Sequence, residues 1–177
     1  IALLKWIHVK LNQNIATLGI IIDVIKGFIS AKYISDLPLF GSLFWGNYEL
    51  NLLLCGLAAV IGHVYPIYHK FKGGKGGAAG MGMILALDPT SLGIAILHWL
   101  IILVLTGFVG LGTMIAASSI PIYLYASGSH VNFDYFSLLS IFLASFIIFT
   151  HRSNISRMIN GNENQFKKIM ILKRLFS

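Results

Sequence analysis

The sequence predicts an all-α integral membrane protein, built as a polytopic bundle with six transmembrane helices. Hydrophobic residues make up 56% of the 177 residues, charged residues only 11%, and the mean hydropathy is +0.81. These values do not suit a water-soluble core of this size. The apolar residues form six runs, and the basic residues cluster beside those runs. We therefore interpret residues 1–177 as a single transmembrane domain.

Each apolar run predicts one helix, and polar, glycine or proline residues separate the runs. The runs lie at 14–34, 50–67, 77–87, 91–107, 110–126 and 133–150. A spanning helix needs about 20 apolar residues, so the run at 77–87 is too short to cross alone and should tilt, re-enter or rely on a thinned bilayer. One bent helix over 77–107 is the alternative, but it would place the basic C-terminal tail outside.

The charges beside the runs predict the sidedness of the helices. Lys5 and Lys10 precede the first run, whereas the connections near Asp36, Asp88 and Asp134 carry almost no positive charge. Short segments rich in Lys and Arg remain on the cytoplasmic side of a membrane. The other basic segments follow the second run (Lys70, Lys72, Lys75) and the last run (Arg152, Arg157, Lys167, Lys168, Lys173, Arg174). These segments are therefore expected to be cytoplasmic, which requires an even number of crossings.

Composition also excludes several classes of function. The net charge of +7 does not predict nucleic-acid binding, because no soluble basic face is available to bind it. Cys55 is the single cysteine and cannot form an internal disulfide. The six histidines lack the close His, Cys, Asp and Glu spacing of a metal site, so we predict no metal. The chain begins with Ile1 rather than Met, and we expect an N-terminal portion to be missing.

A dense glycine and lysine cluster at 62–76 predicts an anion site at the membrane surface. Its end reads Lys72, Gly73, Gly74, Lys75, Gly76. Glycines allow backbone N–H groups to approach a phosphate, lysines supply charge, and the apolar run that follows can begin a helix whose N-terminus favours anions. The spacing differs from that of a nucleotide-binding P-loop, which needs a Gly and a Ser or Thr at flanking positions where this chain has other residues.

A second polar segment, 151–163, follows the last run. On a helix, His151 and Asn154 would lie on one face and could contact a common ligand. The alternative is that this histidine is merely interfacial and that Arg152 and Arg157 are topology anchors. Two further features remain open between structural and substrate roles. They are His63, one turn before the lysines, and the Asp23 and Lys26 pair inside the first run, for which we prefer a structural ion pair.

With these residues in view, the chain resembles the bacterial acyl-phosphate:glycerol-3-phosphate acyltransferase family, PlsY. The segment Gly62–Gly76 reproduces a family motif of the form Gly-His-x-aromatic-Pro-x-aromatic-x-x-Phe-Lys-Gly-Gly-Lys-Gly. His151–Glu163 reproduces His-Arg-x-Asn-Ile-x-Arg-x-x-x-Gly-x-Glu, and Asp23–Gly27 reproduces Asp-x-x-Lys-Gly. The resemblance implies seven transmembrane helices in the full fold, so the six runs here would lack the first. The family's first motif, a Ser-Gly-Asn loop, is also absent from this chain.

The resemblance implies an acyltransferase of phospholipid biosynthesis in the bacterial plasma membrane, with its active site facing the cytoplasm. It would move an acyl group from acyl phosphate to the 1-hydroxyl of sn-glycerol 3-phosphate, giving lysophosphatidic acid and phosphate, with no cofactor. Because an acyl phosphate is already activated, charge stabilisation and positioning suffice without a covalent nucleophile. The enzyme that makes acyl phosphate is a candidate partner, beside the lipid bilayer itself.

The residues in the two motifs are then expected to have separate roles. Lys75 and the backbone of Gly73, Gly74 and Gly76 would bind phosphate, with Lys72 and His63 beside them. His151 and Asn154 would bind or orient glycerol phosphate, and the proton would go to His151 or to the substrate's own phosphate. Arg157 and Glu163 would hold their segment in shape. Two other classes remain as alternatives: a catalytically inactive relative of the family, and a small membrane transporter.

Overall fold

The structure is a computed structural model that describes residues 2–37, 47–128 and 135–166, with side chains described at Ile15 and from residue 17 onward. Within these ranges the chain is helical and contains no strand. The helices are α1 (Ala2–Ile29), which continues into a π-helical turn (Ser30–Ile34), α2 (Tyr48–Val64), a 3-10 turn (Ile67–His69), α3 (Gly77–Leu87), α4 (Pro89–Thr106), α5 (Val109–Ala126), α6 (Tyr135–Thr150) and α7 (Arg152–Ile159). Each predicted run therefore contains one helix. Helix α1 begins earlier than expected, and α7 is added after the last run.

The connection between α3 and α4 settles whether residues 77–107 form one bent helix or two. Asp88 has an extended backbone, and its carboxylate accepts hydrogen bonds from the N–H groups of Thr90 at 3.0 Å and Ser91 at 3.2 Å. Pro89 occupies the first turn of α4, where its missing N–H costs nothing. Such an N-cap begins a new helix. The two-helix prediction is confirmed, and the single bent helix is wrong.

Three helices in the described part of the chain are long and apolar enough to cross a membrane. They are Tyr48–His69, which joins α2 to the 3-10 turn, and the helices α4 and α5. A fourth span results if α6 and α7, which meet at a bend of 52°, are taken together. Helix α3 is apolar but shorter. The membrane-embedded helical class agrees with the sequence, while the number of six crossings stays a prediction.

Glycines allow α3 to pack closely against α1. A Cβ atom on Gly27 would overlap the carbonyl oxygen of Ala79, and one on Gly82 would overlap that of Val24. Small residues at such contacts let helix backbones approach in membrane proteins. Around α3 lies the core that joins α2, α5 and α6, including Val60, Met83, Ile84, Ile120, Leu143 and Ile147. The short helix therefore lies among longer ones, and its N-terminus is held in place by them.

Candidate active site

The glycine and lysine loop folds back onto the end of α2. The N–H of Gly73 donates to the carbonyl of Val64 at 3.0 Å, and the N–H of Gly74 donates to that of His63 at 3.1 Å. A Cβ on Gly73 would overlap the His63 carbonyl, and one on Gly74 would overlap the imidazole of His63. Glycine is needed here for close approach. These two amides are thus used within the loop, which differs from the expectation that they bind phosphate.

The backbone N–H groups that could bind an anion lie in the first turn of α3 and not in the loop. Gly76 has φ of 82° and is the N-cap of α3, with no side-chain cap. The first N–H groups of a helix have no partner within it, and the helix dipole makes this end favourable for an anion. A Cβ on Gly76 would press against Val60, Val64 and Ile147. The positive φ and this close packing both favour glycine at the start of α3.

Lys75 joins the loop to the second polar segment. Its backbone carbonyl accepts a hydrogen bond of 2.8 Å from the Oγ1 of Thr150, at the end of α6. Its ammonium Nζ donates to the Oδ1 of Asn154 on α7. Burial, followed by the nearby charge of Arg157, lowers the pKa of the Lys75 ammonium, and Glu163 acts in the opposite direction. A bound anion would offset this unfavourable environment, as expected of a site that binds phosphate.

Asn154 is buried and connects Lys75 to a carboxylate. Its Nδ2 donates to Glu163 Oε1 at 2.7 Å, while Arg157 Nε donates to Glu163 Oε2 at 2.6 Å. The hydrogen bond from Arg157 is the main cause that lowers the pKa of Glu163, with burial acting against it. The carboxylate side chain is only 8% exposed. These contacts agree with the expectation that Arg157 and Glu163 hold this segment in shape, and Asn154 is part of the same network.

His151 lies at the bend between α6 and α7. It is buried, and its Nδ1 is 2.8 Å from the carbonyl oxygen of Ile147. A carbonyl only accepts hydrogen bonds, so this nitrogen must carry the ring proton. In the neutral imidazole, Nε2 then keeps a lone pair. His151 and Lys75 line the same cavity.

His63 contacts a charged pair on α1 rather than standing alone. Its Nδ1 lies 3.2 Å from Asp23 Oδ1, and Lys26 Nζ lies 3.4 Å from the same oxygen. The predicted ion pair of Asp23 and Lys26 is therefore confirmed, with the histidine as a third member. The opposite edge of the ring, Nε2, faces Gly74. Of the two roles left open by the sequence, this arrangement favours orientation of the loop.

Two cavities are lined in part by the loop. The first, of about 540 Å³, has Lys75, His151 and His63 at its polar end and is otherwise lined by apolar residues of α1, α3, α4, α5 and α6. The second, of about 640 Å³, is more polar and is lined by residues that include Asp23, Lys26, Lys72, Gly73 and Gly74. His63 lines both. Among the described residues, no group of three or more His, Cys, Asp or Glu side chains could hold a metal ion.

The predicted site residues therefore divide into two groups. Lys75, Gly76 and His151 gather at the mouth of the apolar cavity with Asn154 behind them, whereas Lys72, Gly73 and Gly74 face the polar cavity. Two supporting residues were not expected at the site from the sequence. Thr150 anchors Lys75, and Gly110 at the start of α5 lies so close to Asn154 that a Cβ would be 2.7 Å from its Nδ2. A threonine next to His151 was the only available signal for the first.

A lysine, a histidine and a helix N-terminus at the mouth of an apolar cavity define a class of membrane protein that handles amphiphiles with an anionic head. Residues 8–161 match the family described as glycerol-3-phosphate acyltransferase. The chain belongs to this family, as its motifs had indicated.

Named relatives agree with the family match. The chain is 36% identical to a glycerol-3-phosphate acyltransferase of Finegoldia magna over 149 residues, covering 84% of this chain and 69% of the relative. It is 34% identical to one of Aquifex aeolicus over 156 residues, covering 88% and 76%. The crystal structure of PlsY, an integral membrane glycerol 3-phosphate acyltransferase, in its glycerol 3-phosphate form has a TM-score of 0.73 at 33% identity, covering 95% of this chain and 78% of that one.

Proposed function

We propose that this protein transfers an acyl group from acyl phosphate to the 1-hydroxyl of sn-glycerol 3-phosphate, giving lysophosphatidic acid and phosphate. The observation that carries the proposal is the convergence of Lys75, His151 and the α3 N-terminus at the mouth of an apolar cavity. Such a site suits a substrate with an apolar tail and a phosphorylated head. Structures of PlsY in glycerol 3-phosphate and lysophosphatidic acid forms resemble this chain, which supports the same acceptor and product.

The donor occupies both the apolar cavity and its polar mouth. Its acyl chain lies in the cavity, and its phosphate oxygens lie against the Lys75 ammonium and the first amides of α3. Negative charge develops on this phosphate as its bond to the carbonyl carbon breaks. Fixed positive charge and helix amides at that position lower the barrier, because they require no reorganisation during the reaction.

His151 is the proton acceptor in this proposal. The 1-hydroxyl oxygen attacks the carbonyl carbon, the bond from that carbon to the phosphate oxygen breaks, and the hydroxyl proton moves to His151 Nε2. The hydrogen bond of Nδ1 to Ile147 fixes the tautomer that leaves Nε2 unprotonated. The fixed tautomer favours the histidine over the substrate's own phosphate, the alternative that the sequence left open. Asn154, whose oxygen accepts from Lys75, positions the lysine rather than binding the acceptor directly.

Glycerol 3-phosphate reaches the site through the polar cavity. That cavity is lined by Lys26 and Lys72, whose charges complement its phosphate, and it adjoins the loop at Gly73 and Gly74. His63 lines both cavities and marks the place where the two substrates meet.

The site faces the cytoplasm of a bacterial plasma membrane in this proposal, and the helices cross six times. A cysteine-free Cys55→Ser background carrying either Ser153→Cys, on exposed α7, or Thr90→Cys, at the exposed start of α4, tests the orientation. A membrane-impermeant maleimide added to intact cells should label position 90, and position 153 only after lysis. The reverse pattern would contradict the assignment. A cytoplasmic site would also receive acyl phosphate from the enzyme that makes it, a candidate partner.

The decisive experiment is an assay of the full-length protein in lipid nanodiscs with acyl phosphate and labelled glycerol 3-phosphate. Wild type should form lysophosphatidic acid and phosphate in equal amounts. Lys75→Met should abolish turnover, whereas Lys32→Met, at an exposed lysine of the π-helical turn, should retain it. Absence of product from wild type would refute the proposed reaction and favour an inactive relative. Full activity of the Lys75 variant would remove this lysine from the site.

A further inference from the structure

The glycine and lysine loop exposes large apolar side chains that the proposed reaction does not use. Ile67, Tyr68 and Phe71 are 80%, 84% and 60% exposed. Ile67 and Phe71 line neither the apolar nor the polar cavity, and Tyr68 lines only the polar one. A cluster of exposed apolar side chains marks a surface that contacts a partner or a membrane. We call Ile67, Tyr68, Lys70 and Phe71 the loop tip.

The backbone of the loop tip is strained at two exposed residues. Lys70 and Phe71 have φ of 54° and 59°, a left-handed conformation that residues other than glycine rarely adopt. The N–H of Phe71 donates to the Pro66 carbonyl at 3.0 Å, and the N–H of Lys72 donates to that of His69 at 3.1 Å, which holds this conformation. Glycine would relieve the strain, and the chain uses glycine freely just after the tip. Strain of this kind is expected where the side chains act outside the fold.

The length of α2 places the loop tip at the level of the lipid headgroups. The 17 residues Tyr48–Val64 rise about 25 Å, which is about 5 Å less than the hydrocarbon thickness. The 3-10 turn Ile67–His69 adds about 6 Å, and the candidate span itself extends from Tyr48 to His69. When α2 crosses the bilayer, the tip therefore lies at the boundary between acyl chains and headgroups. Aromatic side chains are favoured at this boundary.

The charge around the loop tip indicates which headgroups it fits. Lys70 and Lys72 are exposed, and the sequence has no acidic residue between Glu49 and Asp88. Asp23, the acidic residue that lines the adjacent polar cavity, is already paired with a lysine of its own helix. Each lysine beside an anionic lipid surface strengthens association by about fivefold. The tip therefore complements anionic headgroups rather than neutral ones.

We propose that the loop tip is a binding surface for anionic lipids of the surrounding bilayer. Ile67, Tyr68 and Phe71 enter the boundary between headgroups and acyl chains, and Lys70 contacts lipid phosphates. The occupant is the bilayer rather than a soluble protein, because apolar and basic side chains alternate on a short segment at the end of a membrane span. Bound lipid restrains the segment that leads to Lys75. The contact does not depend on the proposed reaction, so either can fail without the other.

A fluorescent label at position 67 tests the contact. In a Cys55→Ser background, the fluorophore NBD is attached to Ile67→Cys or, as a control, to Asn164→Cys in the exposed polar segment after α7. In nanodiscs with about 30% phosphatidylglycerol at low salt, quenching by 5-doxyl lipid should be at least threefold stronger at position 67 than at position 164. It should also be at least threefold stronger at position 67 than in neutral phosphatidylcholine nanodiscs. Equal quenching at the two positions, or at position 67 in the two lipids, would overturn the proposal.

Two substitutions in the labelled protein assign the contact to the side chains of the loop tip. Lys70→Gln should weaken the quenching at position 67 in anionic nanodiscs at least twofold, whereas Lys32→Gln, at an exposed lysine of the π-helical turn, should leave it unchanged. Equal effects of the two lysine variants would exclude Lys70 from the contact.

Phe71→Gly suits the positive φ at this position, so the variant should fold and should not lower Tm in lipid-free detergent. The same variant should weaken the quenching at position 67 at least threefold in anionic nanodiscs. A lower Tm would show that Phe71 packs within the protein, and unchanged quenching would show that it does not hold the tip in the bilayer. Either result contradicts the proposal.

Discussion

Replacing Glu163 with Gln tests whether the carboxylate network holds Lys75 in place. Both groups that meet this carboxylate are donors, Asn154 Nδ2 on one oxygen and Arg157 Nε on the other. A glutamine offers one oxygen and one NH₂ group, so it can accept from only one of them, and its NH₂ opposes the other donor. At least one hydrogen bond to a charged group is lost, which costs about 1.5 to 3 kcal/mol.

This loss should be visible in both stability and turnover. For a chain of this length, it corresponds to a decrease in Tm of about 3 to 12 °C. If the same free energy is lost from the placement of Lys75, kcat/KM falls about 10- to 150-fold. Differential scanning fluorimetry and the lysophosphatidic acid assay in nanodiscs measure the two effects. Glu49→Gln, at the exposed start of α2, is the matched control. It should change Tm and kcat/KM by no more than a small fraction of these amounts.

The stabilisation that Glu163 provides should depend on pH, and the direction of its pKa shift determines the sign of that dependence. Since the native state lowers the pKa of Glu163, its stabilisation is fully present above the ordinary glutamate pKa and is lost as the pH falls through the lowered value. The difference in Tm between wild type and Glu163→Gln should therefore be constant near neutral pH and shrink in acid. A difference that grows in acid, or Glu163→Gln turnover equal to wild type, would refute the reasoning.

Three further variants probe the same site. His151→Ala should lower kcat by about 10²- to 10⁴-fold through loss of the general base, with the acceptor KM changed much less, as steady-state kinetics would show. Thr150→Val removes the hydrogen bond to the Lys75 carbonyl and should lower turnover, while Thr150→Ser should restore it; an active valine variant would exclude the anchor role. Gly110→Ala should displace Asn154 and reduce activity at least tenfold, whereas Gly93→Ala, which has nothing within 4 Å, should leave activity unchanged.

The helices were predictable because their signals are local. The cap at Asp88 and Pro89 divides 77–107 into two helices, and the apolar runs fix the others within a few residues. The start of α1 and the addition of α7 were not predictable, because polar residues there weaken the apolar pattern. The number of crossings depends on the bilayer as well as on the chain, so apolar length alone does not determine it.

The gathering of the candidate site residues was predictable from the sequence, but their contacts were not. Charge distribution and motif resemblance predicted that Lys75, His151 and Asn154 lie on one side of the membrane. It could not show that the amides of Gly73 and Gly74 are used by the end of α2, since that depends on the fold of the loop. Nor could it show that Asn154 contacts a lysine 79 positions earlier in the chain, because pairing over that separation is set by the packing of α3 against α6 and α7.

The shortness of α3 explains how a polar site can serve an apolar substrate. Eleven residues extend only about 16 Å, roughly half the hydrocarbon thickness, so one end of this helix must stop short of the surface. Gly77 contacts Thr113, which lies four residues inside α5, so the α3 N-terminus is recessed by about 6 Å from the start of that helix. In the proposed reaction, the helix amides and Lys75 thereby meet a phosphate whose acyl chain is still within apolar surroundings. A helix of full length would move these donors to the surface and, in the proposed reaction, leave the activated carbonyl out of reach of His151.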